Sequence, residues 1–344
     1  MTYKKKSRVI EYVRNESLKN LDPDWKGNPY CKGVYYNENE RFQPGFKDIV
    51  KWQRNRRQAK RLKKQNPFSL TVHSDTSFLK SDRDVLVWMG HASFYLRLGG
   101  VSFLIDPCYS KLPMVKSYTR PAIGGKSITD LDYILYSHAH RDHFDVPTLR
   151  DLLSVNPEVK FLLPMDMGKL LKRYTSQPYQ EAGWFQQFDL SELKIAFLPA
   201  RHWNRRGLLD FNDMLWGGYW LEWKASNGKT KSIYFTGDTA YDSHFKHIGR
   251  IMGSPDIALM PVGAYNPDFI MKSSHTSPWE ALQAYQDVGG KRFIPMHYGT
   301  YDLSDEPPNE PIEVVTKAFA DSPDQLMVPE IGAPLWLDDL WAQE

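Results

Sequence analysis

From Asp84 onward the chain alternates short apolar runs with breaks rich in Gly, Pro and Asp, a rhythm that predicts short strands rather than long helices. Residues 85–88, 93–98 and 101–105 read as a meander, with Gly99-Gly100 as a two-residue hairpin turn. The apolar run 133–136 predicts a strand that feeds straight into a histidine-rich loop. Further strands are expected at 160–163, 194–198, 218–223, 232–235, 257–260 and 292–296. Helices are expected at 147–153, with Asp145 as its N-cap, and at 167–173, 243–251 and 278–287. Strands followed by helices, repeated in two halves, predict an α/β fold with sheets sandwiched between helical layers.

The first 80 residues have a different texture. They are rich in Lys, Arg, Asn and Pro and poor in apolar runs, so residues 1–80 are expected to form an extension and residues 81–344 the main domain. Within the extension, segment 51–64 carries Lys51, Arg54, Arg56, Arg57, Lys60, Arg61, Lys63 and Lys64 and lacks Gly and Pro, which predicts a basic helix. Phe46, Ile49 and Val50 start an apolar stripe that fades beyond Trp52. The expectation is a solvated helix packed by one end, with contact to anionic lipid headgroups or an acidic partner as the alternative.

Composition narrows the class. A chain of 344 residues with 41% apolar residues can bury a large core, and a formal net charge of +3 selects no partner. Nothing predicts nucleic-acid binding beyond the one basic segment. Aromatic residues reach 14%, enough for an aromatic core or for rings lining an apolar pocket. Cys31 and Cys108 make no framework and read as reduced thiols. The basic stretch 1–14 lacks an apolar core, and no apolar run is long enough to span a bilayer, so a cytoplasmic protein is expected, with peripheral membrane contact as an option.

The chemistry concentrates in Ser137-His138-Ala139-His140-Arg141-Asp142-His143. On extended backbone His138 and His140 point to one side, so two imidazoles can converge on one ion. A turn at Arg141 and Asp142 can then present Asp142 and His143 to a second ion. Zinc accepts neutral imidazole and carboxylate oxygen, so these are its ligand types. Neither a Gly-x-Ser-x-Gly elbow nor a glycine-rich phosphate loop occurs, which leaves a metal-activated water as the candidate nucleophile.

His-x-His-x-Asp-His after a strand resembles the signature of the metallo-β-lactamase superfamily. The remaining residues of that pattern follow in order at predicted strand ends: His202 in Ala200-Arg201-His202-Trp203, Asp238 in Gly237-Asp238-Thr239, and His297 in Met296-His297-Tyr298-Gly299. The resemblance implies an αββα sandwich of two mixed sheets flanked by helices. It also implies two Zn2+ ions, one held by His138, His140 and His202, the other by Asp142, His143 and His297, with Asp238 shared. Within the superfamily, Trp88-Met89-Gly90-His91-Ala92, Phe103-Leu104-Ile105-Asp106-Pro107, Leu215-Trp216-Gly217-Gly218 and Pro261-Val262-Gly263-Ala264-Tyr265 resemble the N-acyl-phosphatidylethanolamine-hydrolysing phospholipase D group. That implies a phosphodiesterase acting on a phospholipid, with Asp142 orienting the water and His275 facing the phosphate, and a homodimer as an option. Sugar-lactone hydrolases share the Gly-His-Ala and Asp-Pro elements, so a lactone or small-ester hydrolase is the alternative. A metal-binding, membrane-docking protein without turnover is the reading from another class.

The other candidates are weighed more plainly. His91 is expected to support or pack beneath the site, and Asp106 to tie down loop amides or orient a histidine. Trp184, Phe185, Trp203, Trp216 and Tyr265 are candidates for lining an apolar route, with core packing as the alternative; Trp203 and Tyr265 are the expected substrate contacts. His244 and His247 are expected on a solvated helix face, and His73 carries no argument.

Overall fold

The computed structural model describes residues 9–39, 45–65, 67–191 and 193–342. The expectations that fall on residues 1–8 and 41–44, and on the side chains of Phe46, Ile49 and Arg57, lie outside the described residues.

Two seven-stranded mixed sheets carry the core. The first runs Tyr179–Ala182, Lys160–Pro164, Tyr133–Leu135, Val101–Ile105, Ser93–Leu98, Val85–Gly90 and Pro334–Trp336 in spatial order. The second runs Phe293–Met296, Ile257–Pro261, Thr230–Phe235, Gly218–Lys224, Lys194–Leu198, Gln186–Gln187 and Lys19–Asn20. Each sheet pairs antiparallel at one side and parallel at the other. The parallel strands are apolar almost throughout, as strands covered on both faces must be. Helices Val146–Val155, His244–Met252 and Pro278–Val288 follow strands of these parallel regions. The sheets meet through Phe94 and Phe235, whose rings lie 6.2 Å apart edge to face. Tyr219 crosses from the second sheet to donate to the carbonyls of Tyr136 and Leu162. The architecture is thus the expected α/β sandwich of two mixed sheets.

Most predicted strands recur within a residue or two, and Gly99 and Gly100 both take positive φ in the hairpin between Leu98 and Val101. Asp145 stands at the N-cap of Val146–Val155 as expected, with its carboxylate accepting from Ser110 and Thr148 rather than from helix amides. Two local expectations are corrected. The helix after Met167 shrinks to Gly168–Leu171. His244 and His247 do not share a solvated face: His244 is buried within 3.2 Å of Thr239, and His247 Nε2 lies 2.6 Å from Asp22.

Pairing crosses the expected boundary at residue 80. Lys19–Asn20 forms an edge of the second sheet, Tyr35 is buried in the core, and Val72 bridges to Ile331. The basic helix Phe46–Gln65 is not held by one end only. Trp52 Nε1 and Arg56 Nε reach Asp305, and the buried Lys63 ammonium donates to Asp302 and to the Ser304 carbonyl. Part of its charge therefore faces the chain's own acidic loop. Among the described residues no helix is long and apolar enough to cross a membrane.

Candidate metal centre

All seven predicted ligands come from loops that leave the C-terminal ends of strands, and the sandwich brings those ends together. Strand Tyr133–Leu135 delivers the His138–His143 loop, Lys194–Leu198 delivers His202, Thr230–Phe235 delivers Asp238, and Phe293–Met296 delivers His297. Tight backbone is needed to fit these loops side by side. Gly237 has a φ of 63°, and a Cβ there would stand 2.4 Å from the Gly217 carbonyl oxygen. His91, Asp106 and His297 take positive φ despite their side chains, a conformation that costs on the order of 1–3 kcal/mol each and persists only where the surroundings enforce it.

Two neighbouring groups of ligand atoms result. His138 Nε2 lies 2.9 Å and His202 Nε2 lies 3.2 Å from His140 Nδ1, so three imidazole nitrogens converge. Beside them stand Asp142, His143 and His297, with His143 Nε2 and His297 Nε2 at 3.7 and 3.8 Å from Asp142 Oδ2. Asp238 Oδ2 sits between the groups. It is 3.2 Å from His143 Nε2, 3.1 Å from His297 Nε2, and 4.0 Å from both His138 and His202 Nε2. Such a set of nitrogens and oxygens is what a divalent cation requires.

The protonation states of three rings agree with that use, whereas burial is outweighed at His143 by Asp238, Asp142 and Asp106, which hold its imidazole well above the usual histidine range. Burial, aided by neighbouring imidazoles, holds His138 and His202 well below the usual histidine range, and burial pushes His140 down to about 4. These rings are neutral, with lone pairs free to coordinate. Asp238 is buried and Asp142 partly buried, which opposes ionisation, yet the surrounding histidines hold both carboxyls well below the usual carboxylate range.

The partners behind the ligands fix which nitrogen faces inward. His143 Nδ1 donates to Asp106 Oδ2 at 2.8 Å, and His202 Nδ1 donates to the Ser274 carbonyl at 2.8 Å. Ser137 Oγ donates to Asp106 and lies 2.9 Å from His138 Nδ1, while the Ser137 amide donates to Asp106 Oδ1. In all three rings Nε2 is left for the centre. One buried aspartate thus does both things expected of it. Asp238 Oδ1 and His275 Nδ1 are buried without a hydrogen-bond partner, an expensive arrangement unless something else occupies them.

His275 joins the site, with Nδ1 3.9 Å from Asp238 Oδ2. His91 lies closer than expected: its Nε2 donates to Asp142 Oδ2 at 3.1 Å, and it belongs to the same group as Asp142, His143 and His297. Trp203 borders the centre, its ring 4.5 Å from that of His140. Tyr265 is buried and its hydroxyl is given to Glu310. Trp184, Phe185 and Trp216 are core residues: Trp184 donates to the Trp216 carbonyl and Trp216 to the Ala200 carbonyl. A contribution from the N-terminal segment was not legible locally: Asn37 accepts from the His202 amide and donates to its carbonyl. No periodicity signals a bond between residues so far apart.

The chain is similar to known proteins. The family model described as "Beta-lactamase superfamily domain" matches residues 102–298. The chain is 32% identical over 253 residues to N-acyl-phosphatidylethanolamine-hydrolyzing phospholipase D 1 of Caenorhabditis elegans, covering 68% of this chain and 70% of that one. It is 27% identical over 227 residues to a metal-dependent hydrolase of Methanopyrus kandleri, covering 65% of this chain and 88% of the relative. Among solved structures, the metallo hydrolase Igni18 of Ignicoccus hospitalis superposes with a TM-score of 0.53 at 23% identity, covering 73% of this chain and 97% of that one; at that identity it speaks for the fold.

Proposed function

This chain belongs to the metallo-β-lactamase superfamily and is a metal-dependent hydrolase, and from that premise we propose that it is a dizinc phosphodiesterase of the phospholipase D type. The substrate we assign is N-acyl-phosphatidylethanolamine, with N-acylethanolamine and phosphatidic acid as products. The single observation that carries the reading is the pair of ligand groups sharing Asp238. The choice of substrate is supported by the activity for which the worm relative is named.

In this reading His138, His140 and His202 hold one ion, Asp142, His143 and His297 hold the other, and Asp238 is shared. Zinc held by these residues would supply Lewis acidity and would lower the pKa of water from about 15.7 to about 7. The protein's own residues do the rest. Asp106 and the Ser274 carbonyl lock the ligand rings in register. His91 steadies Asp142, whose carboxylate would accept a hydrogen bond from the attacking water and aim its lone pair. His275 Nδ1, free of partners, is placed to donate to a phosphate oxygen. Trp203 offers an apolar face beside His140 to the substrate; the proposed contact through Tyr265 would have to form from a buried ring whose hydroxyl is held by Glu310. Residues 81–344 carry this chemistry, and the N-terminal segment braces the His202 loop through Asn37.

The test is product analysis with purified protein. Zinc-dependent release of N-acylethanolamine and phosphatidic acid, abolished by chelation and restored by zinc, is the expected result. Turnover of a lactone panel with no phosphodiester cleaved would replace the reading with its small-ester alternative.

A further inference from the structure

Beside the metal centre lies a cavity of about 570 Å³ whose lining is unusually charged. Its basic residues are Lys111, Arg141, Arg150, Lys169, Arg173 and Arg206, against three acidic residues, Asp145, Asp210 and Asp213. The acids are already engaged. Asp145 accepts from Ser110 and Thr148, Asp210 accepts from the Arg206 and Gly207 amides, and Asp213 pairs with Lys169. Among the described residues no ion pair ties Lys111, Arg141, Arg150 or Arg173 to a carboxylate, and all four are exposed. The cavity therefore presents uncompensated positive charge to solvent.

Its two bordering loops end in apolar side chains that a soluble surface has no reason to display. Leu112 and Pro113 line the cavity, and the adjoining Met114 is fully exposed. On the facing loop Gly207 and Asp210 line it, while Leu208 is 86% and Leu209 100% exposed. Single exposed apolar residues need no account, but three on adjacent tips around one cationic cavity do. A line of rings runs inward from the second loop. Phe211, itself 39% exposed, stacks 6.1 Å from Trp203, and Trp203 lies against His140.

We propose that the loops at residues 112–114 and 207–211, with the cationic cavity between them, form the surface by which this protein docks on an anionic lipid bilayer. Leu208, Leu209 and Met114 enter the acyl boundary. Arg150, Arg173 and Lys111 meet headgroup phosphates, the arrangement that interfacial binding combines elsewhere. The aromatic line through Phe211 and Trp203 then points the membrane at the metal centre. The basic helix Phe46–Gln65, the other cationic stretch, is a poorer candidate, since Arg56 and Lys63 are turned to Asp305 and Asp302. The surface rests on the geometry of the rim and does not require that a phospholipid be the substrate.

Sedimentation with vesicles tests it, using the full chain and lipids that are not hydrolysed. The protein is expected to partition onto phosphatidylcholine doped with phosphatidylglycerol more than onto pure phosphatidylcholine, and less as salt rises. Leu208→Asp with Leu209→Asp should lower partitioning by at least about tenfold, since two buried leucines exceed that factor. Arg150→Glu with Arg173→Glu should remove the preference for the doped vesicles. Unchanged unfolding midpoints establish that the variants are folded. Wild-type partitioning in the leucine pair, or loss of partitioning only when Lys60 and Lys64 are reversed to Glu, overturns the proposal. So does a leucine pair that abolishes self-association but not vesicle binding, which would give the tips to a second copy of the chain. Vesicle binding without cleavage of N-acyl-phosphatidylethanolamine would sink the proposed function and leave this surface standing.

Discussion

Asp106 and Leu209 mark two extremes of one site. Asp106 is fully buried, holds a positive φ, and divides its two oxygens among the Ser137 amide, the Ser137 hydroxyl and His143. Leu209 is fully exposed on the loop at residues 207–211. The floor to which Asp106 belongs is built from strand ends, where backbone bonds and buried partners leave each ligand one orientation. The rim is built from loops, where side chains are free to meet whatever approaches. The difference teaches that positions requiring sub-ångström placement sit on the sheets, and positions requiring reach sit between them.

The sharpest way to break that comparison is Asp238→Ala. Removing the shared carboxylate should lose bound metal and hydrolysis together, read by elemental analysis and by phosphodiester turnover falling to background. Full activity in this variant would remove the proposed scheme. Next comes Asp106→Asn, which touches no substrate but loosens the hold on His143. It should weaken metal retention by about 10–100-fold in a chelator competition, the usual effect of such supporting residues.

A smaller effect is expected away from the centre. Lys63→Met removes a buried ammonium that donates to Asp302 and to the Ser304 carbonyl, and should cost about 1–3 kcal/mol in denaturant unfolding. Burial opposes ionisation of Asp302, yet Lys63, Tyr118 and Arg56 hold its carboxyl below the ordinary value of 3.8. A depressed folded-state value adds stability that is complete above pH 3.8 and lost as pH falls through the folded value. The difference between Lys63→Met and wild type should therefore shrink in acid. A difference that stays unchanged as pH falls below 3.8 and through the folded value would show that Asp302 is held by other groups. The smallest effect belongs to the rim: Leu208→Asp should move unfolding by no more than about 0.5 kcal/mol, as surface positions do. A larger loss would mean that the loop packs on the protein and belongs with the floor.

Much of this molecule can be read along the chain. The meander with its Gly99-Gly100 turn, the apolar strands, and the spacing of His138, His140, Asp142 and His143 follow from period-two backbone and from ligand chemistry. The order of His202, Asp238 and His297 followed from resemblance, and each was expected at a strand end. These features are local, so neighbouring residues encode them. What no local pattern carries is contact between distant segments. His91 and Asp142 meet across 51 positions, Asn37 and His202 across 165, and Lys63 and Asp302 across 239. The solvated face expected for His244 and His247 failed partly for the same reason: Asp22 reaches His247 across 225 positions, while His244 is buried beside its near neighbour Thr239. The sequence by itself determined which atoms could bind a cation and on which strand ends they stand. Only the tertiary structure decided which imidazole nitrogen turns inward, which charges on the basic helix are neutralised, and which apolar tips remain outside. Those outcomes depend on which surfaces the two sheets bury against each other, and that is a property of the whole packed chain.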